Sequence, residues 1–423
     1  MTTTRVASKG QWRIDEARRL EFGLSLETQS LYHPIVDKVM VDFDGPGPLP
    51  PTEVFSLLIN TRQSTLAGML RYSMQVGDHD LLAGLNLAGT RNQGGNYRND
   101  GGHRNGQSDA IDNRSRSAEL FLLDRWAFAP GWTLVYGVQG VLTTRDVRTL
   151  KLATGELRNP KADYAAFNPR IGLIRTLPGG NQAYASLSRL FEAPTTFELQ
   201  DDVRGGNATL DAMHGTVLEL GLRGQTPRGA QAANWGWDVS AYAARIRDEI
   251  LSVDDPLAPG TSLSTNVPRT RHAGLEAQLW ASVPLGDGRG RIEPLLSATW
   301  NAFFFDGDPV YGSNRLPAAP RYALRGELLY RNVNGFFAGP TFDVVGKRFA
   351  DFDNSYTAAG YALLGLRLGF SADRWEVFAE ARNLANRRYV GMLNVRNHAG
   401  AGDAILQPGA PRSLTVGFRW LLD

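Results

Sequence analysis

The stretch RWEVFAEARNLANRRYVG, Arg374 to Gly391, separates into two unlike rows when every second residue is read. Trp375, Val377, Ala379 and Ala381 are apolar or small, while Arg374, Glu376, Glu380 and Arg382 fill the other row with Phe378 as its one apolar member. Successive side chains on a strand point to opposite faces, so strict alternation predicts a strand with two different environments. In a soluble sandwich the apolar row would pack against a second sheet. In a membrane barrel it would meet lipid, and the charged row would line the lumen.

The same alternation recurs along the whole chain. Phe22, Leu24 and Leu26 alternate with Glu21, Ser25 and Glu27; Leu120, Leu122 and Trp126 form another row, which Asp124 interrupts. Trp132, Leu134, Tyr136, Val138 and Leu142 repeat the pattern, as do Leu324, Leu328 and Tyr330 against Arg325, Glu327 and Arg331. Leu364, Leu366, Leu368 and Phe370 oppose Arg367, and Leu414, Val416, Phe418 and Trp420 oppose Arg419. Helical spacing accounts for none of these rows, and only short pieces such as Thr52 to Leu58 suit a helix. The reading is all-β: an antiparallel up-and-down transmembrane barrel of about sixteen strands, each of about ten residues. A further partial strand falls near Arg5 to Ile14.

Composition is compatible with that reading. The 45 Lys and Arg nearly balance 43 Asp and Glu over 423 residues, which gives no bulk charge for a nucleic-acid partner. Cysteine is absent, which removes disulfide frameworks and thiolate metal sites. A mean hydropathy of -0.27 resembles a soluble protein. Barrels escape such averages because their lipid-facing residues occupy alternate positions. The N-terminal MTTTRVASKGQWRIDEARRLEF has no apolar core of a signal peptide.

Connections fall into two alternating kinds. Tight ones are rich in Gly, Pro and Asn, at 129–132, 178–180, 332–335 and 371–374. Long polar ones occupy roughly 33–53, 92–113, 192–213, 251–267, 305–317 and 388–410, and only a membrane barrel sorts its loops by end in this way. Aromatic residues gather beside the tight turns, as an interfacial girdle requires: Trp126, Phe128 and Trp132; Trp235 and Trp237; Tyr330, Phe336 and Phe337; Phe370 and Trp375.

Arg382-Asn383-Leu384-Ala385-Asn386-Arg387-Arg388-Tyr389, a polar loop, and Pro408-Gly409-Ala410-Pro411-Arg412 before the last strand resemble the C-terminal signature of TonB-dependent outer-membrane receptors. Within that signature the matching residues are Asn383, Leu384, Tyr389, Pro408, Gly409, Pro411 and Arg412. The segments 167–172, 188–199, 218–224, 247–250 and 271–277 are similar to the family's mid-barrel blocks, and 337–355 with 389–397 looks most like its pyrroloquinoline-quinone and ferric-citrate branch. The resemblance implies a barrel of about 22 strands with a plugged lumen. It implies active uptake of a scarce nutrient, such as a ferric siderophore or similar anionic chelate, across the outer membrane of a Gram-negative bacterium. The energy would come from the TonB complex, in a full-length form with a plug. Residues 1–423 read as the barrel domain alone, without a plug or TonB box, and as an incomplete barrel.

No catalytic set, metal site or cofactor site is expected. The six histidines are scattered, and Asp351-Phe352-Asp353-Asn354 lacks the Gly and distant Glu of a calcium loop. Asp287-Gly-Arg-Gly-Arg291 reads as a turn before a strand, not a phosphate cradle. Ligand candidates lie in the polar loops: Tyr97, Arg98, His103 and Arg104, then Arg204, then Asn394, Arg396 and His398. Arginine pairs bidentately with carboxylates and tyrosine stacks on planar groups, which suits an anionic chelate or quinone. The bland reading of each is a solvated loop. Two other functions stay open here: a freestanding porin-like passive pore, and an outer-membrane barrel enzyme, for which no Ser/His/acid motif is visible.

Overall fold

The computed structural model describes residues 1–42, 50–226, 233–255, 262–286, 288–403 and 405–421. Antiparallel strands dominate it. Seventeen long strands among these residues form one antiparallel wall, and two short ones, Thr149–Lys151 and Leu157–Arg158, extend the same sheet beside the fifth long strand. The first nine are β1 (Thr2–Arg13), β2 (Arg18–Val41), β3 (Thr52–Val76), β4 (His79–Asp100), β5 (His103–Ala129), β6 (Trp132–Asp146), β7 (Lys161–Thr176), β8 (Gln182–Glu192) and β9 (Met213–Gln225). They are followed by β10 (Asn234–Asp254), β11 (Ser262–Pro284), β12 (Gly290–Phe305), β13 (Tyr322–Asn332), β14 (Phe336–Val345), β15 (Tyr361–Ser371), β16 (Trp375–Arg382) and β17 (Ser413–Trp420). Each pairs with its neighbour in sequence, β1 with β2 and so on to β16 with β17.

The register keeps the two rows apart from strand to strand. Leu366, Leu368 and Phe370 stand opposite Ala381, Ala379 and Val377, while Arg367 and Ser371 stand opposite Glu380 and Glu376. Across the next ladder Val377 and Ala379 meet Phe418 and Val416, and Glu376 meets Arg419. The charged row lies on the concave side, where side chains crowd one another. Leu329 and Phe337, both in that row, are 2% and 0% exposed, whereas Leu364, Val416 and Phe418 in the apolar row are 52%, 67% and 64% exposed. A Lys or Arg at mid-bilayer on the apolar face would cost about 2–4 kcal/mol.

Connections from odd- to even-numbered strands are short and share one end of the wall; those from even to odd are mostly long and share the other. Gly131 (φ 72°), Gly179 (φ 79°) and Gly335 (φ 102°) hold the short turns in backbone conformations that favour glycine. Ring contacts line that end: Trp126 with Phe128 at 5.6 Å, Trp235 with Trp237 at 5.0 Å, and Phe370 with Trp375 at 5.5 Å between centroids.

Several expectations need correction. Thr52 to Leu58 is the start of β3, not a helix; the one α-helix among the described residues is α1, Thr196–Gln200. The strand near Arg5 to Ile14 is full rather than partial, with twelve residues. The long strands run from 8 to 27 residues, so many exceed a bilayer crossing and rise beyond it. Much of 92–113 and 251–267 is therefore strand, because above the lipid both rows become polar and alternation no longer marks it. Phe337 leaves the girdle for the concave face, where Arg331 and Arg367 guanidinium carbons lie 4.9 and 5.6 Å from its ring centre. Parts of the loops at 33–53, 251–267 and 388–410, and Asp287 of the 287–291 turn, lie outside the described residues.

Candidate ligand-binding surface

A polar lattice follows from the concave row. Arg367 lies 3.7 Å from Glu327, Arg325 2.7 Å from Asp343, Arg331 3.0 Å from Glu293 and Arg382 2.8 Å from Glu380. Farther round, the Tyr184 hydroxyl donates to Glu219 at 2.8 Å, and His272 lies 3.1 Å from Glu249. A lumen of this kind is wettable and nearly charge-balanced.

Above the wall, the long-connection end is stiffened by three small apolar clusters. Val253, Val267, Phe305, Leu316 and Phe352 form one, with Tyr311 and Val395 against it. Ala350, Ala358, Leu393, Ala399 and Ile405 form a second, and Val147, Leu199 and Leu210 a third. α1 is held there by a capping box: the Glu198 amide donates to Thr195 Oγ1 at 3.2 Å, and the Thr195 amide to Glu198 Oε2 at 2.7 Å. Thr195-x-x-Glu198 is a capping-box pattern in the sequence, a helix-start signal that strand alternation does not carry.

Tyr97, Arg98, His103 and Arg104 lie together on the tall β4–β5 hairpin, which is no flexible loop. Gly101 (φ 59°) and Gly102 (φ 87°) make its two-residue turn. The Gly101 amide donates to Asp37 at 2.9 Å, Lys38 meets Asp100 at 2.6 Å, and the Tyr32 hydroxyl donates to the Gly102 carbonyl at 3.1 Å. The Arg104 guanidinium carbon sits 5.3 Å from the Tyr97 ring centre. Arg98 is committed elsewhere, bonded by its Nε to both oxygens of Glu53 at 2.8 and 3.0 Å.

The remaining candidates occupy other connections. Arg204, between β8 and β9, forks onto the buried Asp202 at 3.0 and 2.7 Å and also donates to the Thr209 carbonyl. Asn394, Arg396 and His398 sit between β16 and β17. The Asn394 amide donates to the Ile405 carbonyl at 2.9 Å, Arg396 to Asp403 at 2.9 Å, and His398 Nδ1 lies 3.1 Å from Asp353. Asp351, fully buried, accepts from the amides of Ser355 and Ala399 at 3.0 and 3.1 Å, so Asp351 to Asn354 is a self-satisfied turn.

The residues expected to form a C-terminal signature serve as structural ties. Asn383 has φ 49° and donates to the Arg387 and Ala410 carbonyls at 2.9 and 3.2 Å, while the Arg387 amide donates back to it at 2.8 Å. The Leu384 amide donates to the Leu364 carbonyl at 2.8 Å, and Val390 pairs with Pro408. The Gly409 amide donates to the Tyr389 carbonyl at 2.8 Å, and the Arg412 amide to Asn386 at 3.0 Å. Pro411 lies exposed just ahead of β17.

A wall of next-neighbour strands with a lipid-type outer face, sorted loops and a polar inner face defines the class of up-and-down membrane barrels. Within that class the chain belongs to the family of TonB-dependent receptor-like β-barrels, whose family model matches residues 3–384. Solved structures share the fold. The ferric yersiniabactin uptake receptor FyuA of Yersinia pestis matches with TM-score 0.69 at 15% identity, over 99% of this chain and 61% of its own. The siderophore receptor PiuA of Acinetobacter baumannii matches with TM-score 0.74 at 13% identity, over 99% and 64%. The copper transporter OprC matches with TM-score 0.73 at 16% identity, over 99% and 65%. The chain thus spans less than two thirds of the length of these relatives.

Proposed function

We propose that this chain supplies barrel wall to an outer-membrane TonB-dependent receptor of a Gram-negative bacterium, which takes up a ferric siderophore or similar small anionic chelate. The observation that carries the reading is the wall itself: seventeen strands in receptor order, whose two outermost edges, on β1 and β17, have no ladder between them among the described residues. A passive pore of the porin kind needs a closed ladder to conduct, which weighs against that alternative. The free edges suit completion by further receptor strands, with a plug inside the polar lumen.

On the external face, Arg104 over Tyr97, with His103 beside them, forms the strongest candidate contact for an anionic, planar ligand. His398, 73% exposed at its side chain but already beside Asp353 at 3.1 Å, ranks below them. Arg98, Arg204 and Arg396 rank lower because Glu53, Asp202 and Asp403 already neutralise them. The test is whole-cell uptake of radiolabelled ferric chelates by the complete receptor, with TonB active or deleted. Uptake should vanish without TonB and fall several-fold in Arg104→Ala with Tyr97→Ala. Equal uptake with and without TonB would favour the passive pore.

A further inference from the structure

Arginines cluster at two places on the apolar side of the wall, where lipid-facing residues are expected: Arg245, Arg247, Arg269 and Arg271 on β10 and β11, and four more on β3 to β5. Outward positions on β4 run Leu81, Ala83, Leu85, Leu87, Gly89 and then Arg91. Register places Ser64 and Arg114 opposite Arg91, places Leu66 and Arg116 opposite Gly89, and sets Arg62 opposite Gln93. Arg62, Arg91, Arg114 and Arg116 therefore share one face on three adjacent strands. From Leu81 to Arg91, at about 3.3 Å per residue and a tilt of about 40°, the climb is about 25 Å, which is the height of the apolar band. The arginines sit at its upper edge, on the side of the long connections.

Intrinsic partners do not exhaust that charge. Asp112 takes Arg91 in a fork, both contacts at 2.8 Å, and Arg114 at 3.0 Å. Asp146 stands opposite Arg114, and Lys161 opposite Asp146. Arg62 and Arg116 are exposed and make no side-chain hydrogen bond or ion pair among the described residues.

Directly below the arginines the wall is hollowed. A groove of about 590 Å3 runs between Leu24, Leu66, Leu87 and Leu142 over Gly68 and Gly89, with Arg116 at its upper end. It continues upward into a second of about 370 Å3 that reaches Arg91 and Arg114. A Cβ added at Gly89 would have nothing within 4 Å, so wall packing does not demand glycine there. Glycine inside a strand costs stability, and here it leaves the groove floor open.

We propose that this face is a binding site for a phosphate-bearing lipid of the outer leaflet, with an acyl chain along the groove and its phosphate at Arg62, Arg91, Arg114 and Arg116. Guanidinium groups fork onto phosphate oxygens, and a lipid alone presents its phosphate at the height where the apolar band stops. A soluble anion would have no use for the groove. The proposal rests on the membrane reading of the wall.

The test uses the purified full-length protein in detergent micelles, with native mass spectrometry reading bound lipid. Probes are bisphosphorylated lipid A, its dephosphorylated form, phosphatidylcholine and inorganic phosphate. Bisphosphorylated lipid A should bind at least tenfold tighter than the dephosphorylated form or phosphatidylcholine. Arg62→Gln with Arg116→Gln, and separately Gly89→Leu, should each abolish that preference while far-ultraviolet circular dichroism stays unchanged. Equal binding of all lipids, unaltered preference in both variants, or competition by inorganic phosphate at equal strength would each overturn it. Failure of the protein to enter membranes at all would instead overturn the receptor reading.

Discussion

Gly409 shows how tightly a single residue of the segment before β17 is specified. A Cβ there would lie 2.1 Å from Cζ of Tyr389, whose ring packs 4.4 Å from that of Tyr361. Steric need, not ligand chemistry, fixes this glycine. Asp201, which closes α1, is specified less comfortably. Burial pushes its carboxyl up from 3.8 to about 6, Arg158 opposes the rise, and Asp255 adds to it. The folded state therefore holds the proton more tightly than the unfolded chain between those two values. Stability from this group falls as pH rises through that window, and the penalty is complete above it. Asp201→Asn should stabilise the α1 segment by about 1–3 kcal/mol near pH 8 and by little near pH 4. Hydrogen exchange across Thr196 to Gln200 at the two pH values measures this, and a pH-independent difference would refute it.

At the scale of elements, the β4–β5 hairpin holds the main difference between expectation and structure. A Gly- and Asn-rich stretch reads as a flexible loop, yet paired strand extends from the membrane to a two-residue turn at Gly101 and Gly102. Both glycines have positive φ, as the hairpin turn that matches strand twist requires. Replacing Gly102 by Val should strain that turn and loosen the tip. Amides from Asn96 to Asp109 should then exchange faster while those of Leu81 to Leu87 stay protected, and uniform protection in the variant would show that the turn is not what orders the hairpin. The strands of the wall were legible because their lipid-facing rows alternate. Their extensions were not, since outside lipid both faces of a strand meet water and the period vanishes.

For the whole molecule, the edges dominate. Ladders run unbroken from β1 to β17, and the outer edges of these two strands carry amides and carbonyls with no strand partner among the described residues. In hydrocarbon each unsatisfied group costs several kcal/mol, so an open seam one crossing long costs on the order of tens of kcal/mol. The chain by itself, refolded into liposomes, should therefore give no uniform single-channel conductance and should remain sensitive to protease. A stable, protease-resistant pore of constant conductance would mean that the edges find each other, and would favour the porin-like alternative.

Alternation by itself determined which residues face lipid and which face the lumen, because a strand has only two sides and hydrocarbon tolerates only one kind of side chain. It also determined strand order, since short and long connections alternate only when neighbours in sequence are neighbours in space. Only the tertiary structure decided which cations are free. Arg98, Arg204 and Arg396 looked equivalent to Arg104 in sequence, and their neutralising carboxylates lie as far off as Glu53 from Arg98 or as near as Asp202 from Arg204. Register decided the arginine cluster on the outer face as well. Residues 62, 91, 114 and 116 are brought together by two ladders whose pairing depends on every turn between them.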